Sequence, residues 1–329
     1  MDPDNEIPMG EFELIRNYFA AAPCARVGEG VDLGIGDDCA LLSLPQGGQL
    51  AISTDTLVSG VHFPDDCDPF LLGQRALGVS ASDLAAMGAE PVAFTLALTL
   101  PAVSANWLQS FAEGLNQMAQ GCGLRLIGGD TTRGPLSLTL TVFGKVPCGQ
   151  ALTRSGAQPG DLLCVGGPLG DAAGALALVL NQRRTEASTT QALLARYWSP
   201  QPQFALGLAL RGKASAALDI SDGLLADCGH IALASKVRIV VEQAKLPISP
   251  HLLAFAGLED AQRAALSGGD DYLLAFTLPP THLQALLDAA LPIHVIGRVE
   301  AGEGVALIDA RGQDIAVLAR GYQHFRETP

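Results

Sequence analysis

Apolar and polar positions change period several times along the chain, and each change marks an element. Residues 10–22 carry helical periodicity, and Asp68-Pro69 opens a second helix that runs to about Met87 and stops at Gly88. Residues 92–100 alternate with period two: Val92, Phe94, Leu96, Leu98 and Leu100 on one face, Ala93, Thr95, Ala97 and Thr99 on the other. Residues 136–142 repeat the pattern, with Ser137, Thr139 and Thr141 opposite the leucines. A helix over 104–120 and a short strand over 124–127 lie between. The order is β-α-β-β, an α+β layer with one apolar face. Its second face is small and Thr-rich, which suits a partner sheet, so a homodimer through the N-terminal sheet is expected.

Between 146 and 160 the pattern breaks into Pro, Gly, Gln and Ser, which places a domain boundary there: residues 1–148 and 149–329. A short strand at 162–165 is followed by Gly166-Gly167-Pro168-Leu169-Gly170 and an Ala-rich helix. That glycine run has the look of a phosphate loop, but without G-x-G-x-x-G spacing it reads as a tight structural turn. Strands near 238–242, 272–277 and 293–299 alternate with helical segments near 223–235 and 281–290, so the second half is α/β-like. The whole is expected to be a two-domain α/β (α+β) protein, with no internal repeat.

Length agrees: 329 residues suit two ordinary domains. A 48% hydrophobic content and a mean hydropathy of +0.28 exclude a disordered chain. Charge changes the picture more. Lys+Arg number 20 against Asp+Glu 34, a net charge of -14, and such a surface offers no patch to neutralise a nucleic-acid backbone. The acids are 22 Asp and 12 Glu. Asp, unlike Glu, favours turns, caps and hard-metal sites. Cysteines 24, 39, 67, 122, 148, 164 and 228 are odd in number and never form C-x-x-C, so they read as small buried hydrophobes in a reducing cytoplasm. Residues 1–6 are polar and acidic, unlike a signal peptide, and the longest apolar stretch, 91–103, is too short and broken to span a membrane. G-x-x-x-x-G-K-[ST], H-E-x-x-H and G-x-S-x-G are all missing from the sequence.

Six segments share one grammar: an apolar run, small residues, then one or two aspartates. They are Leu33-Gly-Ile-Gly-Asp37-Asp38, Ala51-Ile-Ser53-Thr54-Asp55-Thr56, Ser80-Ala-Ser82-Asp83, Leu126-Ile-Gly128-Gly129-Asp130-Thr131, Leu218-Asp219-Ile-Ser221-Asp222-Gly223 and Ser267-Gly268-Gly269-Asp270-Asp271-Tyr272. Such loops collect where strands end, glycine lets N–H groups approach an anion, and carboxylates with hydroxyls supply hard oxygens to Mg²⁺. A lone Asp after Gly or Ser is ordinarily an N-cap or turn residue, and Asp83 taken alone fits an exposed helix face. Asp65, Asp66 and Asp68 read as solvated surface and N-cap. Asp37-Asp38, Asp219-x-x-Asp222 and Asp270-Asp271 have no adjacent Lys or Arg, and crowded like charges destabilise a fold unless a cation joins them. The pattern leaves both readings open, structural turns or a site for several Mg²⁺ ions.

In order along the chain stand Gly-Ile-Gly-Asp-Asp (34–38), Ile-Ser-Thr-Asp-Thr (52–56), Ser-Asp-Leu-Ala-Ala-Met-Gly-Ala (82–89), Ile-Gly-Gly-Asp-Thr-Thr-Arg-Gly (127–134), Ala-Leu-Thr-Arg-Ser-Gly (151–156), Asp-Ile-Ser-Asp-Gly-Leu (219–224) and Gly-Tyr-Gln-His-Phe (321–325). With these motifs the sequence resembles the thiamine-monophosphate kinase family of the aminoimidazole-ribonucleotide-synthetase-like ATP-binding superfamily. The resemblance implies ATP-dependent phosphorylation of thiamine phosphate to thiamine diphosphate, an N-terminal domain that dimerises through its sheet, and a C-terminal α/β domain. It also implies that Asp38, Ser53, Thr54, Asp55, Asp83, Asp130, Asp219 and Asp222 hold several Mg²⁺ ions, with Asp55, Asp130 and Asp222 closest to catalysis. Gly129, Asp130, Arg154 and Ser221 would contact ATP; His62, Asp270 and Tyr322 would contact thiamine phosphate. One position departs: the family usually reads Gly-Gly-Glu-Asp-Tyr where this chain has Asp270, a side chain shorter in reach by roughly 1.5 Å.

The expected chemistry is direct in-line transfer between two polyanions without a phosphoenzyme. A phosphate monoester with a second pKa of about 6 is mostly dianionic near neutrality and needs no general base. Taken alone, His62 would be an ordinary packing histidine, Arg154 a solvated linker charge and Tyr322 a packing anchor. The alternatives are another superfamily enzyme, of aminoimidazole ribonucleotide or selenophosphate synthetase type, or a noncatalytic acidic metal- or nucleotide-binding module. A selenophosphate synthetase would want a reactive Cys in a Gly-rich N-terminal segment, and Cys24 in Ala-Ala-Pro-Cys-Ala lacks that context.

Overall fold

The structure, a computed structural model, describes residues 31–44, 48–316 and 321. The helix expected at 10–22 lies outside the described residues, as do Cys24 and Tyr322. The first six strands are β1 (Val31–Leu33), β2 (Ala40–Leu44), β3 (Gly48–Val58), β4 (Glu90–Leu100), β5 (Arg125–Arg133) and β6 (Ser137–Pro147). They form one sheet in the order β1-β2-β3-β6-β4-β5, with β4 and β5 parallel and the other neighbours antiparallel.

Two helices cover one face of this sheet. The first, α1 (Pro69–Ala86), is capped by the Asp68 carboxylate, which accepts the Phe70 N–H at 2.8 Å, while Asp65 and Asp66 stay exposed. The second, α2 (Ala105–Cys122), starts at Ser104 and ends at Gly123, whose φ of 71° is the left-handed stop that glycine permits. The helices nearly touch. A Cβ on Gly114 would lie 1.9 Å from the Phe70 carbonyl oxygen. Gly114→Ala therefore forces α1 and α2 apart, and we expect a net loss of about 2 kcal/mol despite the better helix propensity of Ala. A thermal melt checks it.

Alternation decides the two faces. On β6, Leu138, Leu140 and Val142 are buried under the helices, and Thr139 and Thr141 point to the other side. There Thr54 and Thr141 bond through their hydroxyls at 2.9 Å, as do Thr56 and Thr139. The strand expected at 92–100 exists, but Val92 does not belong to its apolar face. The β4–β6 register shifts between Pro91 and Ala93, so Val92 is exposed and Ala93 is buried. The strand expected at 124–127 runs on to Arg133, so the Gly128-Gly129-Asp130 motif is part of an edge strand and not a loop.

After β6, residues 148–161 contain no helix or strand. A second sheet follows, built from β7 (Leu162–Val165), β8 (Ala216–Asp219), β9 (Arg238–Glu242), β10 (Leu274–Leu278), β11 (His294–Glu300), β12 (Gly304–Ile308) and β13 (Asp314–Ile315). Its order is β13-β12-β9-β11-β7-β10-β8, antiparallel except for β9 with β12. Around it lie α3 (Asp171–Val179), α4 (Ala187–Trp198), α5 (Phe204–Leu210), α6 (Leu224–Ser235), α7 (Pro250–Ala256), α8 (Leu258–Ser267) and α9 (Pro280–Asp288). The glycine run 166–170 is a structural turn, as its spacing suggests. The Asp271 carboxylate occupies the start of α3, accepting the Gly170 N–H at 2.9 and 3.0 Å, where a phosphate would otherwise sit.

Helix α1 joins the halves. It packs on β3, β4 and β6 on one side and on α4, α5 and β8 on the other, and most of its residues are buried. The contact is backbone-close: a Cβ on Gly207 would lie 2.1 Å from the Ala85 carbonyl oxygen. No helix among the described residues is long and apolar enough to cross a membrane.

Candidate active site

The apolar face of β3 is interrupted where its acids stand. Ala51 and Leu57 are buried on that face, and Ser53 and Asp55, two and four residues beyond Ala51, share it by the pleat. They face α1, which brings Asp83 from its last turn. The Ser53 hydroxyl donates a short hydrogen bond to the Asp83 carboxylate. From the second sheet, β8 ends on Asp219, and from the turn after β1 come Asp37 and Asp38. Carboxylate oxygens of Asp38, Asp83 and Asp219 all lie within 4.8 Å of one another. Acids from three separate segments thus meet where α1 passes between the two sheets.

Burial makes this gathering unfavourable for charge. Asp37 is pushed up to about 6, by desolvation first and then by Asp38. Asp219 is pushed up to about 7 by desolvation and by the charge of Asp38. Burial likewise raises Asp38, Asp55 and Asp83, with Asp55 adding to the rise of Asp83. One guanidinium offsets part of this: Arg154 Nη2 lies 2.5 Å from Asp38 Oδ1, and the Arg154 N–H donates to Asp37 Oδ2 at 3.1 Å. The second oxygen of Asp38 is buried without a hydrogen-bond partner among the described residues.

Five carboxylates and one arginine suit hard divalent cations. The oxygens are acceptors in close array, and an unpartnered buried carboxylate oxygen is the atom a cation would complete. The neighbouring Cys39 thiol is pushed far up by burial and by Asp83.

A second group lies next to the first. Asp222, Asp227 and His230 present ligand atoms within 4.8 Å of one another. Asp227 also holds the loop, accepting the N–H groups of Asp222 and Gly223 at 3.2 and 3.1 Å. Burial and the charge of Arg154 lower His230 to about 4, so its imidazole is neutral. Sequence reading passed over Asp227 and His230, although three-residue spacing at the start of α6 puts both on one helix face.

The other candidates fall outside the carboxylate cluster. Thr54 lies on the opposite face of β3, in the Thr54–Thr141 pair. Asp130 is exposed on the edge strand β5, opposite Ala97, in the row that continues through Thr139 to Thr56. That row belongs to the threonine face, and three strand spacings put Asp130 about 14 Å from β3. Gly129 has a φ of 149° and no room for a side chain, since a Cβ would lie 1.8 Å from the Leu96 carbonyl oxygen. Ser221 is exposed, and its carbonyl accepts the Asp270 N–H at 2.7 Å. His62 is half-buried, with Nδ1 accepting the Val58 N–H at 2.9 Å.

Asp270 already has a partner. Both of its oxygens accept from Arg75 Nη2 at 2.7 Å, and its φ of 65° is a left-handed conformation that Asp tolerates better than most residues. Arg75 was missed in the sequence, where the signal was a lone charge in the otherwise uncharged stretch 71–82.

The two domains of the family described as AIR synthase related protein match this chain, the N-terminal domain over residues 36–146 and the C-terminal domain over 158–310. The thiamine-monophosphate kinase of Escherichia coli (strain K12) is 48% identical over 323 residues, covering 96% of this chain and 98% of that protein. The crystal structure of thiamine-monophosphate kinase from Stenotrophomonas maltophilia K279a superposes with a TM-score of 0.78 at 46% identity, covering 87% of this chain and 93% of that one. A structure described as AaThiL complexed with AMPPCP and TMP superposes with a TM-score of 0.85 at 30% identity, covering 96% and 97%.

Proposed function

The chain belongs to the thiamine-monophosphate kinase family, and from that premise we propose that its aspartate cluster transfers the terminal phosphoryl group of ATP to thiamine monophosphate. It is an enzyme, a phosphotransferase whose acceptor is itself a phosphate. The observation that carries the reading is the convergence of Asp38, Asp83 and Asp219, from both halves of the chain, beside Arg154.

Donor and acceptor are both polyanions, so alignment and charge neutralisation set the barrier. Asp38, Asp55, Asp83 and Asp219 with the Ser53 hydroxyl, and Asp222 beside them, would hold Mg²⁺ ions, which supply positive charge for the two phosphates. Arg154 would bind donor phosphate: its guanidinium is charged at all working pH values, and its buried Nε–H has no partner among the described residues. Ser221 and the Gly128-Gly129 backbone offer donors without bulk. The acceptor attacks as its own dianion, so no side chain must remove a proton. Transfer is direct and in line. Radiolabelled phosphate retained on the denatured protein would overturn that step.

We further propose a homodimer through the threonine face, supported by the exposed to half-buried, small and uncharged row of Thr54, Thr56, Thr139 and Thr141 that it presents. A partner sheet there would also change the surroundings of Asp130 and Thr54. The cytoplasm is the proposed compartment, supported by six described cysteines that are all free thiols. Residues 1–148 and 149–329 are the proposed domains, separated by the segment without helix or strand.

Purified protein with ATP, Mg²⁺ and thiamine monophosphate should yield ADP and thiamine diphosphate in equal amounts. Conversion of another superfamily substrate, with thiamine monophosphate untouched, would overturn the assignment. ATP binding without turnover of either would favour the noncatalytic module.

A further inference from the structure

Two residues tied by resemblance to the thiamine phosphate, His62 and Asp270, belong to different halves of the chain, yet one cation connects them. Arg75, on α1, is 5% exposed at its side chain. Its Nη2 donates to both oxygens of Asp270 at 2.7 Å, and its Nη1 donates to the Tyr197 carbonyl at 2.7 Å. The guanidinium lies over the Tyr197 ring, 4.0 Å from its centre. Tyr197 in turn donates from its hydroxyl to the His62 carbonyl at 3.1 Å. The chain His62–Tyr197–Arg75–Asp270 therefore crosses between the halves three times.

The same loop leads back to the carboxylates. Asp270 and Tyr272 donate their N–H groups to the carbonyls of Ser221 and Ile220, at 2.7 and 2.8 Å, next to Asp219 and Asp222. Arg75 and Asp83 are carried by one helix, eight positions apart, so their sites are fixed relative to each other.

We propose that Arg75 is the positioning residue of the acceptor side. It holds Asp270 and, through Tyr197, the His62 segment, so that thiamine monophosphate meets a preformed wall at a set distance from the carboxylate cluster. The inference rests on the kinase reading above.

The test is steady-state kinetics on the full chain for wild type, Arg75→Gln and Tyr197→Phe, each with its Tm. Arg75→Gln should raise the KM for thiamine monophosphate about tenfold or more while the KM for ATP stays within about twofold. Tyr197→Phe, which keeps the ring and loses the hydroxyl, should raise the same KM by a few-fold. An unchanged acceptor KM in Arg75→Gln, or equal rises in both KM values, would overturn the inference. Should Arg75→Gln fail to fold, Tyr197→Phe decides, and an unchanged acceptor KM there overturns it. A wild type that leaves thiamine monophosphate unconverted is a different result, because it removes the kinase reading itself.

Discussion

Asp55→Asn should give a protein that transfers phosphate roughly 10²- to 10³-fold more slowly yet melts higher in the absence of divalent metal. The two halves of this outcome have one cause. Asp55 sits mid-strand on the buried face of β3, with burial and the charge of Asp38 both opposing its ionisation. Removing that charge relieves repulsion, and an amide of the same shape keeps the packing. What would be lost is an anionic oxygen for the cation proposed to serve both phosphates. Assays at saturating ATP and thiamine monophosphate, with parallel melts in EDTA, check both halves. Unchanged turnover would contradict the role of Asp55, and a large fall in Tm would recast it as a structural residue. Thr54→Val is a useful contrast. Thr54 is next to Asp55 in sequence but faces the threonine ladder, so its side chain should matter far less to turnover.

Why some of this was legible in the sequence, and some not, follows from the same strand. Period-two alternation located β4 and β6 and the small second face, because one side of that sheet packs under α1 and α2. The motifs located most of the acids that meet. The geometry of the meeting was not legible. Aspartates were expected on loops at strand ends, and Asp219 does end a strand, but Ser53 and Asp55 lie on the face of a long strand and Asp83 lies in a helix. Read alone, Asp83 fits an exposed helix face; it is half-buried and desolvated because α1 is covered on both sides, a tertiary fact with no local signature. Gly-Gly-Asp130 has the composition of a loop and the structure of an edge strand, because pairing with β4 overrides the weak strand propensity of glycine. Arg75 was invisible for another reason. A single arginine on a helix is usually solvated, and its carboxylate partner lies far along the chain at Asp270.

The metal-free protein should lose stability as pH rises from about 4 to about 7, opposite to the usual behaviour of proteins held by ion-paired carboxylates. The sign follows from the direction of the shifts. Asp37 and Asp219 are raised to about 6 and about 7 from 3.8, so within this window the native state keeps protons that the unfolded chain has released. Their favourable contribution is complete below the unfolded value and is gone once pH passes the folded values. One group changes stability by at most about 1.4 kcal/mol per pH unit, and the two share neighbours, so a loss of about 3 kcal/mol is expected, or a Tm lower by about 4 °C. Saturating Mg²⁺ should cancel the trend, because a cation competes with protons for the same oxygens and gains as they leave. Melts at intervals between pH 4.5 and 8, in EDTA and in Mg²⁺, test this. General repulsion across a chain of net charge -14 slopes the same way, so Asp219→Asn is the control. It leaves the surface charge nearly intact and should flatten a large part of the slope. A slope identical in Asp219→Asn and wild type would assign the effect to the surface and leave the buried cluster without a measurable cost.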